Sequence, residues 1–424
     1  MSEAGEGTPF AALGLSPALV RAVAERGYEQ PTPVQAATLP LALQGKDVIA
    51  CSHTGSGKTA AFGLALLQRL DRPTRPAWRS TTALVLVPTR ELALQVGETL
   101  HALSRALAVP PKVAVVFGGV SINPQMLGLR GGADVVVATP GRLLDLVGRH
   151  AVELAHVSLL VLDEADRLLD EGFADELARI AGLLPQRRQS LFFSATFAPA
   201  VQALAASLLR EPVRVDAPAL PGAHAPAIEQ QAVEVDPARR TPLLRHLIET
   251  RGWERALVFV ATRYASEHVA DKLRRAGLAA AAFHGDLSQG ARQRVLAEFH
   301  RGALRVLLAT DMAARGLHIA GLPVVVNYDL PRSATDHTHR IGRTARAGAT
   351  GLAVSFVSAG TEQHFRLIEK RQGQRVQRER IAGFEPRETA PPRSPAEGGI
   401  KGRRKSKKDK LREAAAAAAA LNRP

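Results

Sequence analysis

The sequence predicts an α/β protein with two domains built on parallel sheets, followed by a disordered basic tail. Three observations support this fold class. Short apolar runs alternate with segments of helical period from residue 48 to residue 356. The alternation pauses once, at a segment rich in proline. Beyond about residue 385 the chain has the composition of a segment that cannot bury a core.

Length and composition agree with a two-domain globular protein. The 424 residues are too many for one ordinary core, and 46% of them are hydrophobic while 22% are charged. A single cysteine, Cys51, excludes an internal disulfide framework and a cysteine-based zinc site. The N-terminal residues lack the basic and apolar segments of a secretory signal, and no apolar run approaches the ~18 residues of a membrane span. We therefore expect a cytoplasmic protein.

The positive charge is concentrated near the C-terminus. The net charge is +15, and residues 371–424 alone hold 15 Lys and Arg against 6 Asp and Glu. This asymmetry favours a polyanionic partner such as a nucleic acid, although basic tails also serve simply to keep proteins soluble. Aromatic residues make up only 4% of the chain, so base stacking is not expected to be the main mode of binding.

Two series of apolar runs predict the strands. β-Branched runs that alternate with helices indicate βαβ units on buried parallel sheets. The predicted strands are residues 48–51, 83–87, 113–117, 135–138, 159–162 and 191–193 in the first half, and 256–260, 280–283, 306–309, 324–326 and 352–356 in the second.

The proline-rich segment APALPGAHAPAI divides the two series and predicts an extended linker. The chain is accordingly divided into an N-terminal segment 1–36, a first domain 37–216, a linker 217–228, a second domain 229–384 and a tail 385–424.

A glycine-rich loop follows the first predicted strand and opens a helix. In SHTGSGKT, backbone N–H groups can wrap phosphate oxygens, Lys58 supplies a charge at the β- and γ-phosphates, and the Thr59 hydroxyl can hold Mg²⁺. The general pattern has glycine where this chain has Ser52. The residues assigned to nucleotide binding here are Ser52, His53, Thr54, Gly55, Ser56, Gly57, Lys58 and Thr59.

Two carboxylates follow the apolar strand at 159–162, about a hundred residues further on. Asp163 can anchor Mg²⁺, mainly through water, and Glu164 can polarise an attacking water. An acidic pair on a surface is common in isolation, but its position after a phosphate-binding loop favours the functional interpretation.

With this loop, the sequence Asp163-Glu164-Ala165-Asp166 resembles the DEAD-box RNA helicases of superfamily 2. The match runs in order from about Phe10 to about Ile381, and the text VVFGGVSINPQMLGLRGGADVVVATPGRLLDL is most similar to the bacterial RhlE-type branch. The resemblance implies two tandem RecA-like domains, ATP and Mg²⁺ as ligands, and an RNA-stimulated ATPase.

The segment GYEQPTPVQ, which ends at Gln35, resembles the Q motif of that family. The resemblance implies that the Gln35 amide pairs with the adenine edge and that Phe10 stacks on the base, which selects ATP over GTP. A capping turn before a helix would suit the same residues.

Several loops resemble the RNA-binding motifs of the family: PTRELA at 88–93, Gly118-Gly119, TPGR at 139–142, HGD with Gln289, and Thr310-Asp311. Contacts of this kind read the RNA backbone rather than base identity. Each short match alone is also compatible with an ordinary loop. The residues expected to contact RNA are Arg90, Gly119, Thr139, Arg142, Arg292 and Thr310.

The remaining matches imply catalytic and coupling groups. HRIGRTAR at 339–346 resembles the arginine-finger motif, in which Arg343 and Arg346 share one face and reach the γ-phosphate; a solvated basic face is the alternative. Ser194 and Thr196 resemble the motif that relays the state of the cleft, and their hydroxyls are expected to bond Asp166 unless they merely form a polar strand end. The catalytic residues implied are Glu164, Lys58, Arg343 and Arg346, and the coupling residues are Asp166, Ser194, Thr196 and His339.

Four positions depart from the family. His318 stands where an Asp that touches the ribose is usual, and His337 stands where Tyr is usual. Ala345 replaces a common Gly, which costs little if φ there is negative. His53 replaces a frequent Gln.

The predicted function is ATP-driven closure of the two domains that locally separates RNA duplexes or remodels RNA–protein complexes. Two rivals stay open: a clamp that binds ATP and RNA without useful turnover, and a DNA helicase. We expect a monomer that grips RNA largely independently of sequence. Ribosome assembly, RNA decay and cold adaptation remain open as pathways, with the partner proteins that they would bring.

Overall fold

The computed structural model describes residues 10–52, 55–71, 79–216, 228–314, 321–345 and 350–388. These residues form two seven-stranded sheets, one in each half of the chain, and every strand pairing within them is parallel. Within these ranges no helix has both the length and the apolar character needed to cross a membrane. The expectation of two α/β domains on parallel sheets is confirmed.

The first domain carries the strand order β3-β4-β2-β5-β6-β1-β7. Its strands are β1 (Val48–Cys51), β2 (Ala83–Leu86), β3 (Val113–Val116), β4 (Val135–Ala138), β5 (Leu159–Leu162), β6 (Gln189–Ser194) and β7 (Val213–Asp216). Its helices are α1 (Pro17–Glu25), α2 (Pro33–Leu43), α3 (Lys58–Leu70), α4 (Arg90–Ser104), α5 (Asn123–Gly128), α6 (Pro140–Gly148), α7 (Ala165–Asp170), α8 (Ala174–Leu183) and α9 (Pro199–Leu208).

The second domain has the order β10-β11-β9-β12-β13-β8-β14, which is the same permutation of its own seven strands. The strands are β8 (Ile228–Glu234), β9 (Ala256–Phe259), β10 (Ala280–Phe283), β11 (Val306–Ala309), β12 (Val324–Asn327), β13 (Gly351–Val357) and β14 (Arg378–Glu379). The helices are α10 (Arg240–Thr250), α11 (Arg263–Arg275), α12 (Gln289–His300), α13 (Asp311–Ala314), α14 (Ala334–Ile341) and α15 (Glu362–Gln372). The similar patterns of the two halves thus correspond to two copies of one topology.

Burial on both faces explains why the strands read as continuous apolar runs. In β4, Val135 and Val137 pack into the core layer that contains Phe62, whereas Val136 packs into the layer on the opposite face of the sheet. Side chains alternate between faces along a strand, so a strand covered by helices on both sides needs apolar residues at every position.

Three strands were not predicted: β7, β8 and β14. Strands β7 and β14 lie at one edge of each sheet and carry charged residues, so they lack an apolar run. Strand β8 begins at Ile228, the last residue assigned to the linker; residues 217–227 of the linker lie outside the described residues.

The folded part of the second domain continues past residue 384. Arg378 in β14 makes hydrogen bonds of 2.9–3.1 Å to Glu362 and Glu369 of α15. The Asp236 carboxylate accepts from the backbone N–H groups of Arg387 and Glu388 at 2.8 and 3.2 Å. Residues 385–388 are therefore tied to the domain, and residues 389–424 of the predicted tail lie outside the described residues.

Candidate active site

The glycine-rich loop stands at the carboxyl end of β1, in front of α3. Gly55 and Gly57 have φ of 84° and 93°, in the left-handed region that a side chain rarely adopts. The Lys58 ammonium is buried and donates to the Ser52 carbonyl at 3.0 Å, while the Ser56 hydroxyl donates to that of Ser52, also at 3.0 Å. The loop is thus folded around its own lysine, and Thr59 follows on the first turn of α3. His53 and Thr54 lie outside the described residues.

Gln35 joins the N-terminal segment to this loop. Its Nε2 donates to the Gly57 carbonyl at 3.1 Å, and its Oε1 accepts from the Thr32 backbone N–H at 2.9 Å. The second bond belongs to a capping box at the start of α2, so the capping alternative is realised. An amide has two N–H donors and two acceptor lone pairs. One N–H of Gln35 and one lone pair stay available for an adenine edge, which remains a prediction.

Phe10 does not meet the expectation of a ring open to a base. Its side chain is 0% exposed and belongs to the core of the first domain, where it packs with residues of α1 and α2. The ring is therefore covered in this nucleotide-free structure, and its stacking on adenine stays a prediction.

The two carboxylates lie directly after β5, which is separated from β1 by β6 alone. Burial raises the pKa of Asp163 to about 7, and the nearby Lys58 charge opposes this shift. The Asp163 Oδ1 accepts from the Glu164 backbone N–H at 2.9 Å. A buried carboxylate with this raised pKa is suited to a cation, because a bound metal would stabilise its ionised form.

The donor set around Asp163 suits Mg²⁺ rather than a metal that needs a complete protein cage. Among the described residues no group of three or more His, Cys, Asp or Glu side chains could hold a metal. Mg²⁺ needs only one or two protein ligands, because waters and substrate phosphates complete its octahedron. The buried Asp163 carboxylate meets this need, and its assignment to Mg²⁺ together with the Thr59 hydroxyl stays a prediction.

Glu164 has a strained backbone. Its φ and ψ are 53° and 51°, in the left-handed region, at the N-terminus of α7. A non-glycine residue there costs roughly 1–3 kcal/mol, and such strain collects at functional sites. The buried side chain has its Oε2 3.1 Å from Nη1 of Arg167, one turn further on. The strained residue therefore follows Asp163 directly and holds its carboxylate against Arg167.

The coupling residues are connected in part as expected. The Asp166 carboxylate accepts from both the backbone N–H and the hydroxyl of Thr196, each at 3.1 Å. The Ser194 hydroxyl instead donates to the Thr196 carbonyl at 2.8 Å. Of the two predicted hydroxyls, that of Thr196 therefore bonds Asp166, while that of Ser194 bonds within the turn that contains Thr196.

His339 and Arg343 of the second domain face this edge of the first. Burial lowers the pKa of His339 to about 4, and the charges that act on it include those of Arg167, Asp166 and Glu164. A pocket between the domains is lined by Arg167 from the first and by residues of the second that include Asp311, His339 and Arg343. Groups from both domains thus converge at one place. Arg346 and His318 lie outside the described residues.

The sequence motifs assign no role to Arg340. It grips the Asp311 carboxylate with Nε and Nη2 at 2.6 and 2.7 Å, and its Nη1 donates to the Asn327 side chain at 3.0 Å. Its guanidinium also lies 4.8 Å from the centre of the Phe259 ring. This buried fork fixes α14, which carries His339, against the end of β11. The sequence contained two indications of this contact. Asp311 follows a predicted strand, and Arg340 lies in the same motif as Arg343 and Arg346.

His337 lies on α14 with Arg340 and is buried and neutral. Burial lowers its pKa to about 4, its Nδ1 lies 3.0 Å from Gln372 Nε2, and its ring meets Phe365 edge to face at 5.9 Å. It therefore packs in the interior of the second domain.

The first domain's predicted RNA contacts gather around residues 118–120. The Arg90 guanidinium lies so close to Gly119, whose φ is 75°, that any Cβ on Gly119 would overlap it. The Thr139 hydroxyl accepts from the Gly118 N–H at 3.3 Å, and Arg142 Nη2 donates to the Val120 carbonyl at 2.7 Å. These four residues follow β2, β3 and β4, so the structure brings them to one edge.

The second domain's predicted contacts are differently placed. Arg292 Nη2 lies 2.7 Å from Glu91 Oε1 in the first domain, and both side chains are buried. Burial lowers the pKa of Arg292, and Glu91 opposes this shift. Thr310 lies between β11 and α13, with its backbone N–H bonded to the Phe283 carbonyl at 3.3 Å. Arg292 thus joins the two domains here, a pairing that the sequence motifs did not indicate.

Comparisons with known proteins agree with this geometry. Residues 32–204 match the family model described as DEAD/DEAH box helicase, and residues 239–348 match the helicase conserved C-terminal domain. The chain is 42% identical over 369 residues to the ATP-dependent RNA helicase DeaD of Mycobacterium tuberculosis, with 87% of this chain and 64% of that protein covered. It is 40% identical over 374 residues to the DEAD-box ATP-dependent RNA helicase CshA of Geobacillus kaustophilus, with 87% of this chain and 78% of that protein covered.

Among solved structures, the chain is similar to Saccharomyces cerevisiae Dbp5 bound to RNA and ADP BeF3. The TM-score is 0.77 at 31% identity, over 88% of this chain and 96% of that one. A score of this size over both domains means that the likeness extends to their strand order and to the two-domain frame.

Proposed function

Because this chain belongs to the DEAD-box helicase family, we propose that it is an RNA-stimulated ATPase that separates RNA duplexes locally or remodels RNA–protein complexes. The activity is a proposal for the whole protein, since the chain spans 64% of the length of the DeaD relative. The branch within the family stays a prediction, and so does the cytoplasmic location.

The observation that carries the proposal is the convergence of both domains on one pocket. Glu164, Asp166 and Arg167 of the first domain lie within electrostatic reach of His339 in the second, and Arg343 lines the same pocket. Groups divided between two domains act together only when the domains meet. Ligands that need both sets of groups therefore favour the closed arrangement, which couples their binding.

In the first domain, the residues around the loop bind and orient ATP. Gln35 offers its remaining amide donor and acceptor to the adenine, and Lys58 exchanges the Ser52 carbonyl for the β- and γ-phosphates. Mg²⁺, when held by Thr59 and Asp163, would neutralise phosphate charge that builds up during transfer. Glu164 orients the attacking water and accepts its proton.

The second domain completes the site. Arg343 and Arg346 stabilise the charge on the transferred phosphoryl group, a contribution that is typically ~10³–10⁵-fold in rate for such arginines. His339, beside Asp166, and the Asp166–Thr196 bonds relay the presence of the γ-phosphate to the residues after β2, β3 and β4 that are proposed to hold RNA.

The residues that follow the strands grip one RNA strand by its backbone. Arg90, with Gly119, Thr139 and Arg142, forms the first-domain part of this grip, and Thr310 forms the second-domain part, next to the Arg292–Glu91 pair that joins the domains. Such contacts fix the strand without reading its sequence. A strand held across both domains bends when they close, and the bend expels its partner.

The test measures RNA-stimulated ATP hydrolysis and duplex separation by the wild type and by Glu164→Gln. The variant keeps shape and loses only the proton acceptor, so it should bind ATP and RNA normally while turnover falls ~10²–10⁴-fold. Glu153→Gln, at an exposed glutamate of the same domain, is the matched control and should behave as wild type.

Two outcomes would overturn the proposal. If added RNA does not change the rate of ATP hydrolysis, the protein is a clamp or scaffold. If DNA of the same sequence stimulates hydrolysis as strongly as RNA does, it is a general nucleic-acid motor.

A further inference from the structure

Tyr264, on the first turn of α11, presents its ring to solvent. It is 73% exposed, and no large hydrophobic side chain in the described part of the chain is more so. Tyrosine is scarce in this protein, with 3 residues in 424, and an aromatic ring left in water forgoes the burial that usually stabilises it. This position therefore calls for a functional explanation.

The ring lies beside a second aromatic ring. His268, one turn further along α11, stacks on it with ring centroids 5.5 Å apart and planes inclined by only 12°. The Thr262 hydroxyl caps this turn by accepting from the Ala265 N–H at 3.0 Å. The two rings are thus nearly parallel, and most of the Tyr264 side chain stays open to solvent. Together they offer an exposed flat surface on which another ring can stack.

The pair stands at the carboxyl edge of the second sheet, beside the segment that leads into α12. Arg263 of the same turn forms an ion pair with Asp286, and Glu267 lies 2.8 Å from His284 Nε2. Both contacts reach the residues that follow β10, immediately before the helix that carries Arg292. The aromatic pair is therefore continuous with the edge along which the RNA strand is proposed to run.

Two polar contacts lie next to the pair. Arg263 forms an ion pair with Asp286, and the His284 ring is hydrogen-bonded to Glu267. The positive charge of Arg263 is thus already matched by a carboxylate. The open aromatic face is the feature left to bind a ligand, and its natural partner is another flat π system.

We propose that Tyr264 and His268 form a platform on which one unpaired base of the RNA strand stacks. The proposal rests on the RNA-helicase function and extends it from backbone contacts to a base contact. Stacking accepts any base, since each has a π face, so it preserves sequence independence. It does require a base that has left its duplex, because the faces of paired bases are covered by their neighbours. The platform would therefore hold the strand in its separated form.

The test compares Tyr264→Ala with Tyr264→Phe. Two readouts are used: the RNA concentration that half-saturates the ATPase, and the fluorescence of single-stranded RNA carrying one 2-aminopurine at successive positions, with a non-hydrolysable ATP analogue. Tyr264→Ala should raise the half-saturating RNA concentration about 5- to 140-fold, the range that corresponds to loss of one base–aromatic stack, with the maximal rate retained. It should also abolish the quenching of 2-aminopurine at one position.

Tyr264→Phe keeps the ring and should match the wild type in both readouts. Leu367→Ala removes another exposed side chain of the same domain, 57% exposed on α15, and should also match it. If Tyr264→Ala leaves half-saturation and quenching unchanged, or if Tyr264→Phe is as impaired as Tyr264→Ala, the platform is refuted while the helicase function stands. A wild type whose ATPase ignores RNA would refute both.

Discussion

Arg292 of the second domain lies 2.7 Å from Glu91 of the first, and the two side chains are only 7% and 10% exposed. The arginine also packs over the Phe283 ring, with its guanidinium carbon 4.9 Å from the ring centre. A buried pair of this kind is costly to break by removing one member, because the other charge stays buried without a partner. Contact between the two domains therefore depends on this pair, and both of its residues lie in motifs expected to bind RNA.

Glu91→Ala should weaken domain closure. In the closed arrangement it leaves the Arg292 charge buried and unpaired, a penalty of roughly 3–5 kcal/mol that opening relieves. We expect a higher RNA concentration for half-maximal ATPase and a smaller closed fraction, measured by energy transfer between dyes placed on the two domains.

The control for this prediction is Glu98→Ala, at an exposed glutamate of the same helix, which should close normally. Adding Arg292→Met to Glu91→Ala should restore part of the closure, since the unpaired charge is gone. Strictly additive defects in the double variant would show that the two residues do not act as a pair.

Asp163 should make the nucleotide-free protein less stable as pH rises. Its pKa is about 7 in the folded chain, raised by burial from 3.8. Between about pH 4 and pH 7 the unfolded chain therefore binds fewer protons at this position than the folded one, so the free energy of unfolding falls as pH increases through this window. The full loss is up to about 4 kcal/mol.

Asp163→Asn removes this titration and should raise the stability of the nucleotide-free protein at pH 8 while changing little at pH 4. Thermal unfolding at pH 4, 5, 6, 7 and 8 measures both effects, with Asp145→Asn, at an exposed carboxylate of the same domain, as control. A variant that is no more stable than wild type at pH 8 would mean that the carboxylate is not desolvated as described.

The parts of the site that sequence predicted are those fixed by local order. Lys58 and Asp163 are placed by a strand that ends and a loop or helix that begins, and both events leave a pattern in neighbouring residues. Phe10 and the Arg292–Glu91 pair depend on which surfaces meet after folding. The resemblance pointed to Phe10, but packing within the first domain buries its ring. Two separate motifs contained Arg292 and Glu91, but only the meeting of the two domains joins them.

The backbone conformation at Ala345 also could not be predicted from the sequence. Its φ is +52°, so the substitution for the family's common glycine is not neutral. Left-handed backbone costs an alanine roughly 1–2 kcal/mol, partly offset because glycine loses more entropy on folding. Ala345→Gly should therefore stabilise the second domain by about 0.5–1 kcal/mol.

Chemical denaturation measures this change in the free energy of unfolding. Ala276→Gly is the control, and its free energy of unfolding should change in the opposite direction. Ala276 ends α11 with φ of −88°, where glycine brings only its entropic cost, so that variant should lose stability. Equal losses in both variants would indicate that the conformation at Ala345 carries no strain.

The end of the folded chain determines how the basic tail should be tested. Residues 389–424 hold 10 Lys and Arg and 3 Asp and Glu, a net charge of +7. Ending the chain after residue 388 removes this charge but keeps the bonds of Arg387 and Glu388 to Asp236, whereas ending it after residue 374 also removes Arg378 with its bonds to Glu362 and Glu369.

Removal of residues 389–424 should weaken RNA binding and flatten its dependence on salt, because each phosphate contact on a single strand contributes about −0.7 to the slope of log K against log salt. The unfolding temperature should stay that of the full chain. Removal of residues 375–424 should lower it as well, since the buried Glu369 loses its partner. A salt slope equal to that of the full chain after the shorter deletion would assign the tail no part in RNA binding, and the body of the two domains would then account for the whole electrostatic affinity.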